Sequence, residues 1–299
     1  MNIIKKINNF RINIIYLAKY QSIKKEQFKI MSPEKLVDLI VKKKYSLCRF
    51  GDGELRWAFN IKNETFQKND ETMAKMLRDI LTSKQEENPN TIIGIYECMN
   101  DVKEYNRDGR LFWRKFMVMH QDDIIKHIPK DKIYGPANIT RPYIEYKNKN
   151  KEIMEKKFNL IKKIWNKKEI VIVEGKYTKL GVDNDLFNNC KSIERIICPP
   201  KDAFFKYDDI CNEIRKQDKN KLILLALGPT ATILSYYLSL EGYQCIDVGH
   251  VDIEYLWFKK GCKKKEKIQG KYVYEAGGLL DSEATENKEY KKQIIKEII

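Results

Sequence analysis

Short apolar runs rich in β-branched residues alternate along this chain with longer segments whose apolar residues recur three or four apart. YSLCRF (45–50), TIIGIYE (91–97), KIYG (132–135), EIVIVEG (169–175), ERIICPP (194–200), KLILLALG (221–228) and YQCIDVG (243–249) read as strands. Between them, SPEKLVDLIVKKK (32–44) has a capping serine, a proline in the first turn and lysines at its end, the marks of a helix. LFWRKFMVMHQDDIIKHI (111–128), KEIMEKKFNLIKKIWNK (151–167), YDDICNEIRKQ (207–217) and PTATILSYYLSLEG (229–242) carry the same helical period. Strands alternating with helices predict βαβ units, and so an α/β fold: a Rossmann-like, mostly parallel sheet with helices on both faces. No repeat and no Gly/Ser/Pro linker divides the chain. A basic helical segment (1–30), one principal domain (31–281) and a closing charged helix (282–299) are expected.

In such a sheet, ligands bind beyond the carboxyl ends of the strands. The loops GDGE, EGKYTKLGVDNDLF, PPKDAF, LGPTAT and GHVDIEY should therefore carry the chemistry. In LGPTAT, Gly228, Pro229 and Thr230 lie where a strand gives way to a helix, and free N–H groups at a helix start can receive a phosphate. An ordinary strand-to-helix turn would look the same, since the Walker lysine is missing. GHVDIEY brings His250, Asp252 and Glu254 to one face if extended, and His250 with Glu254 if helical. A polar strand edge is the plainer reading. In GDGE, read as an extended loop, Asp52 and Glu54 project the same way between Gly51 and Gly53, and two oxygen ligands suit Mg²⁺ or Mn²⁺. A hairpin turn is the alternative. Arg49, just before, suits a phosphate or a carboxylate held in a fork.

Charge and composition alter this picture little. The 299 residues carry a formal charge of +15, but the lysines are scattered, beside many Ile and Asn, as an A/T-rich coding sequence would produce. No zinc-finger spacing or RNP-like motif accompanies them, so no nucleic-acid partner is expected; anionic partners such as nucleotides or glycans are. No apolar run is long enough to span a bilayer. The seven cysteines show no C-x-x-C pair and read as buried thiols of a reducing compartment. The basic and apolar first twenty residues suit a helix packed on the domain's own surface, the plainer reading, or one lying on an anionic membrane.

RFGDGE, ITRPY, VEG followed by LGVDNDLF, LGPTATILSYYL and GYQCIDVGHVDIEYLWF, in this order, resemble the bacterial GT-D-type glycosyltransferase family. The resemblance runs from about Pro33 to about Glu275. It implies a Rossmann-like GT-D fold and a nucleotide-sugar-dependent transferase whose Asp-x-Glu motif, here Asp52 and Glu54, holds Mn²⁺ or Mg²⁺. Asp252 and Glu254 form the competing Asp-x-Glu. Asp183 stands where the family often has glycine, and so is not taken as a base. The reading that follows is sugar transfer from a nucleotide-sugar donor, a UDP-sugar, to a glycan or glycoprotein acceptor in surface polysaccharide or glycoprotein biosynthesis. Donor contacts are expected from Arg49, Gly51, Gly53, Arg141, Asn184, the 228–230 turn and Asp252. His250, Glu254 and Glu174 are the candidate bases. A metal-dependent phosphohydrolase would use the same acids with water as acceptor. The expected location is the cytoplasm, at the inner face of a membrane touched by residues 1–20.

Overall fold

The computed structural model describes residues 3–25, 27–61, 66–277 and 287–299. A long helix, α1 (Ile3–Lys25), is followed by β1 (Lys29–Ile30), α2 (Pro33–Lys43), β2 (Ser46–Phe50), α3 (Asp52–Ala58) and α4 (Glu71–Thr82). Next come β3 (Thr91–Ile95), α5 (Arg107–Met119), β4 (Ile133–Pro136), α6 (Lys151–Lys162), β5 (Glu169–Gly175) and β6 (Ser192–Cys198). The chain continues through α7 (Tyr207–Arg215), β7 (Leu222–Ala226), α8 (Pro229–Leu240), β8 (Gln244–Asp247) and α9 (Val251–Lys260). It closes with α10 (Lys288–Gln293) and β9 (Ile294–Glu297).

The seven predicted strands, joined by β1 and β9 at the two edges, pair, all in parallel, as one sheet in the order β1-β4-β3-β2-β8-β7-β5-β6-β9. Alternate residues divide between its faces. Leu47, Ile170, Ile172, Leu222, Leu224 and Ile246 join one apolar core; Cys48, Phe50, Val171, Val173, Ile223 and Leu225 join the opposite side. Both faces are covered, so the strands are near-continuous apolar runs, and each large side chain removed from water contributes ~1.5–3 kcal/mol. α2 starts where expected: Lys35 N–H donates to Ser32 Oγ at 3.2 Å, and Pro33 is its first residue.

Four expectations need correcting. Asp52 and Glu54 are not on an extended loop, because α3 begins at Asp52. The 251–255 stretch is helical, as the first turns of α9. The 111–128 helix stops at Met119, leaving a single 3₁₀ turn at Ile125–His127. The charged tail is helical only to Gln293; Ile294 to Glu297 then add an edge strand beside β6, where β-branched Ile294 and Ile295 suit a strand and Ile298 enters the core. The expected 281/282 boundary lies outside the described residues. None of the seven cysteines forms a disulfide; six are buried and Cys190 is half-buried.

α1 packs along α5. Tyr16 is buried there beneath the Arg114 guanidinium, 5.0 Å from the ring centre, and Arg114 donates to Asn13 Oδ1 at 2.7 Å. Among the described residues, no helix is long and apolar enough to cross a membrane.

Candidate active site

The strand order reverses between β2 and β8, where the β1–β4 half of the sheet meets the β5–β9 half. These two strands share one register pair, Leu47↔Ile246, and Arg49 bridges them beyond it. Its Nε donates to the Asp247 carbonyl at 2.9 Å, Nη2 to Asp247 Oδ1 at 2.9 Å and Nη1 to the Ala137 carbonyl at 3.1 Å. A cleft of about 660 Å³ opens over this seam. Its walls come from the segments after β2 (Gly51–Glu54), β3 (Tyr96), β4 (Arg141), β5 (Gly175, Thr178), β6 (Pro199–Ala203), β7 (Leu227, Gly228) and β8 (Asp247, Gly249, His250). This is the carboxyl edge of the sheet, at the switch point, where an open α/β fold places its ligand.

Gly51 caps α3, and its N–H donates to Glu54 Oε2, which curls back to accept it at 2.9 Å. A Cβ at residue 51 would sit 2.9 Å from that oxygen, so a larger residue there would push the Glu54 carboxylate aside. Asp52 and Glu54 are both half-buried in the cleft wall. They lie two apart on a helix, which turns them to different sides, so the same-side argument drawn from an extended loop fails. What brings them to one cavity is the helix start itself. No hydrogen bond or ion pair engages the Asp52 carboxylate among the described residues, and Glu54 Oε1 is likewise uncommitted. Burial raises both acids, Glu54 to about 7 with Asp247 adding to it. An uncommitted pair of oxygen donors, both less favoured as anions because of burial, fits a hard divalent cation that completes its shell with water and substrate oxygens. Among the described residues no group of three or more His, Cys, Asp or Glu is placed to hold a metal, so the protein's share would be these two carboxylates.

His250 lines the cleft, half-buried, just before α9. Burial first, and then the Arg141 cation, lower its pKa from the ordinary 6.5 to about 4, so its ring is neutral near pH 7. Arg141 also lines the cleft, its Nη2 donating to both oxygens of Glu275 at 2.6 Å. Against burial, Arg141, His250 and Lys265 hold Glu275 far below the usual carboxylate range.

Several expected contacts fall elsewhere. Glu254 is fully buried off the cleft, accepting the Tyr143 and Ile144 N–H groups at 2.9 Å, and so clamps the 141–144 segment to α9. Glu174 is fully buried too, bonded to Arg195 Nη1 at 2.5 Å and to Leu180 N–H at 2.6 Å. Neither can reach an acceptor hydroxyl. Arg49 lines the cleft but spends Nε and Nη1 on the Asp247 and Ala137 carbonyls and a single Nη2 hydrogen bond on the Asp247 carboxylate. Asp252 reaches the cleft wall but is 2% exposed, with Oδ2 on Lys271 at 2.5 Å and Oδ1 accepting from Gly181 N–H at 2.9 Å and Asn184 Nδ2 at 2.8 Å. Asn184 therefore stands behind Asp252, outside the cleft. Pro229 and Thr230 are buried beneath the 228 turn; only Gly228 faces the cavity, and the Phe66 ring lies where its Cβ would be, 2.1 Å from Cε2. An aromatic lid occupies the approach expected for a phosphate. Asp183 has φ 60°, which explains a glycine there in the resembling family.

Sequence reasoning missed Asp247, although it sits inside the GYQCIDVG string, and missed Trp57, Phe66, Glu145 and Glu275. The last four carry no local motif, and only folding brings them to the cleft. Lys263, Lys264 and Lys265, which read as scattered charge, form part of its wall.

The family model described as the glycosyltransferase GT-D fold matches residues 47–276. Over 266 residues, 89% of this chain, the sequence is 35% identical to a relative named glycosyltransferase GlyD of Streptococcus pneumoniae serotype 4. Over 269 residues, 90% of the chain, it is 34% identical to a probable glycosyl transferase Gly of Streptococcus gordonii. The chain spans only 32% and 39% of the lengths of these two relatives. A solved structure of a domain of unknown function 1792, described as having a distinct glycosyltransferase fold, superposes with a TM-score of 0.87 at 33% identity, covering 94% of this chain and all of that one. Another, described as a new glycosyltransferase from Streptococcus sanguinis, gives 0.85 at 32% identity, covering 91% of this chain and all of that one. With the parallel sheet and the cleft at its switch point, these matches show that the chain belongs to the GT-D glycosyltransferase-fold family.

Proposed function

We propose that this chain moves a sugar from a nucleoside-diphosphate sugar, a UDP-sugar, to a hydroxyl of a glycan or glycoprotein acceptor in surface polysaccharide or glycoprotein assembly. The observation that carries the proposal is the switch-point cleft, with an uncommitted carboxylate, Asp52, in the same cavity as a neutral imidazole, His250. Its volume suits a ligand of nucleotide-sugar size. Asp52 and Glu54 would hold Mn²⁺ or Mg²⁺. Such an ion, when bound, supplies electrostatic stabilisation of the departing diphosphate. The chain's own part is to hold donor and acceptor together and to place proton and charge. Neutral His250 accepts the proton that the acceptor hydroxyl loses on attack. The Arg141–Glu275 pair holds fixed charge beside that ring, and Trp57, Phe66 and Tyr274 exclude water from one wall.

The test is transfer from UDP-sugars with Mn²⁺ to candidate glycan acceptors. Asp52→Ala and Glu54→Ala should each lower turnover about a hundredfold or more while melting within a few degrees of the parent, and EDTA should abolish turnover until Mn²⁺ is restored. Sugar release that no acceptor redirects would instead identify a phosphohydrolase working with the same acids. Full turnover in both variants would refute the assignment.

A membrane-side acceptor is part of the same proposal. On α1, the face away from α5 exposes Ile7 (48%), Phe10 (66%), Ile14 (51%) and Leu17 (62%), a 3-4-3 stripe. Residues 1–25 hold Lys5, Lys6, Arg11, Lys19, Lys24 and Lys25 and no acid. An apolar stripe on an all-basic helix suits an anionic cytoplasmic leaflet and disfavours a second copy of equal charge.

A further inference from the structure

A second cavity, of about 480 Å³, lies beside the cleft. Lys271 belongs to its wall, and the next residue, Tyr272, belongs to the wall of the cleft. The turn after β5, the end of β6 and the tail from Asn287 to Glu297 form the rest. Four lysines (176, 179, 271 and 291) face two carboxylates, Asp183 and Glu297.

Lys179 is the unusual member. It is 8% exposed, adopts a left-handed backbone (φ 48°), and its side chain makes no hydrogen bond or ion pair among the described residues. Burial and then the Lys271 charge lower its pKa, opposed by the nearby charges of Asp183 and Glu174. Its ammonium reaches the cavity and meets no acceptor from the protein, so an anionic ligand there would supply one. Tyr290, above the Arg195 guanidinium, has a buried hydroxyl that also lacks a partner. Lys271 donates one N–H to Asp252, which leaves two. The cavity therefore collects donors and is short of acceptors, while Val182, Ile197 and Ile294 give it an apolar side.

We infer that this second cavity binds the phosphate group of a small ligand, held by Lys179, Lys271 and Tyr290, with Lys176 at its mouth. A tetrahedral oxyanion is acceptor-only and matches a set of ammonium and phenol donors. The inference is independent of sugar transfer and of the metal.

The test is methyl NMR on the full chain, titrated with inorganic phosphate and then pyrophosphate. Saturable shifts are expected at Val182, Ile197 and Ile294, and are scored separately from Ile253, which lines the cleft. Lys179→Met should weaken this binding about tenfold or more, the loss of one charge-assisted hydrogen bond. Without phosphate the variant should melt no lower than the parent, because the Lys179 ammonium makes no hydrogen bond or ion pair in the fold for the substitution to break. Lys176→Ala, at an exposed position that leaves the fold untouched, should weaken binding severalfold. Methyls at 182, 197 and 294 that stay still across the titration, or equal affinity in the parent and both variants, would overturn the inference.

Discussion

At the scale of single residues, His250 shows how position sets chemistry. Its ring is neutral near pH 7 because the cleft strips water from it and Arg141 opposes a second cation. Folded, it takes up a proton only near pH 4; unfolded, it does so near 6.5. Between these values the unfolded chain binds more proton, so this residue withdraws stability as pH falls from 6.5 towards 4. His250→Gln should lose that component: its melting temperature relative to the parent should rise between pH 7 and pH 4.5. Turnover should fall by about 10²–10⁴-fold if His250 is the base. The motif containing it was legible as a string, but two carboxylates and one imidazole competed for the role. Burial decided among them, and burial is set by residues far away, such as Tyr143 and Ile144 for Glu254, and Arg195 for Glu174.

At the scale of elements, the join between β7 and α8 depends on a backbone that L side chains avoid. Gly228 has φ 56° and ψ −135°, and the Phe66 ring lies against its Cα. Gly228→Ala should cost about 1–3 kcal/mol from the backbone alone, read from urea unfolding, and should push Phe66 out of the cleft wall. An alanine variant as stable as the parent would show that the loop around Phe66 yields freely. Strand and helix periods were readable here, and so was the glycine-proline join. The aromatic ring that fills the space was not, because its partner is 162 positions away in sequence. α3 shows a different failure: Gly51 and Glu54 stand at capping-box spacing, a helix-start signal, yet Asp-Gly reads just as well as a turn.

At the scale of the whole molecule, the sheet and α1 present opposite problems. The cleft is walled by loops from seven strands, and the proposed ligand is argued from those walls; the α1 stripe is open, and the proposed partner is argued from charge. Liposome flotation should show binding to vesicles containing anionic lipid and none to neutral ones. It should weaken severalfold as salt rises and be lost in Phe10→Ser/Leu17→Ser, a substitution on an exposed face that should leave the melting temperature unchanged. Salt-insensitive binding, or a dimer in solution abolished by the same change, would assign the stripe to another partner. By itself the sequence determined the α/β class, the parallel sheet and the loops that would line a ligand site, because hydrophobic period and strand–helix alternation are local and the carboxyl-edge rule follows from them. Only the tertiary structure decided which acids stay free, which are locked to arginine or backbone, and where the tail strand pairs. Those outcomes depend on desolvation and on partners distant in sequence, and no short window of residues contains them.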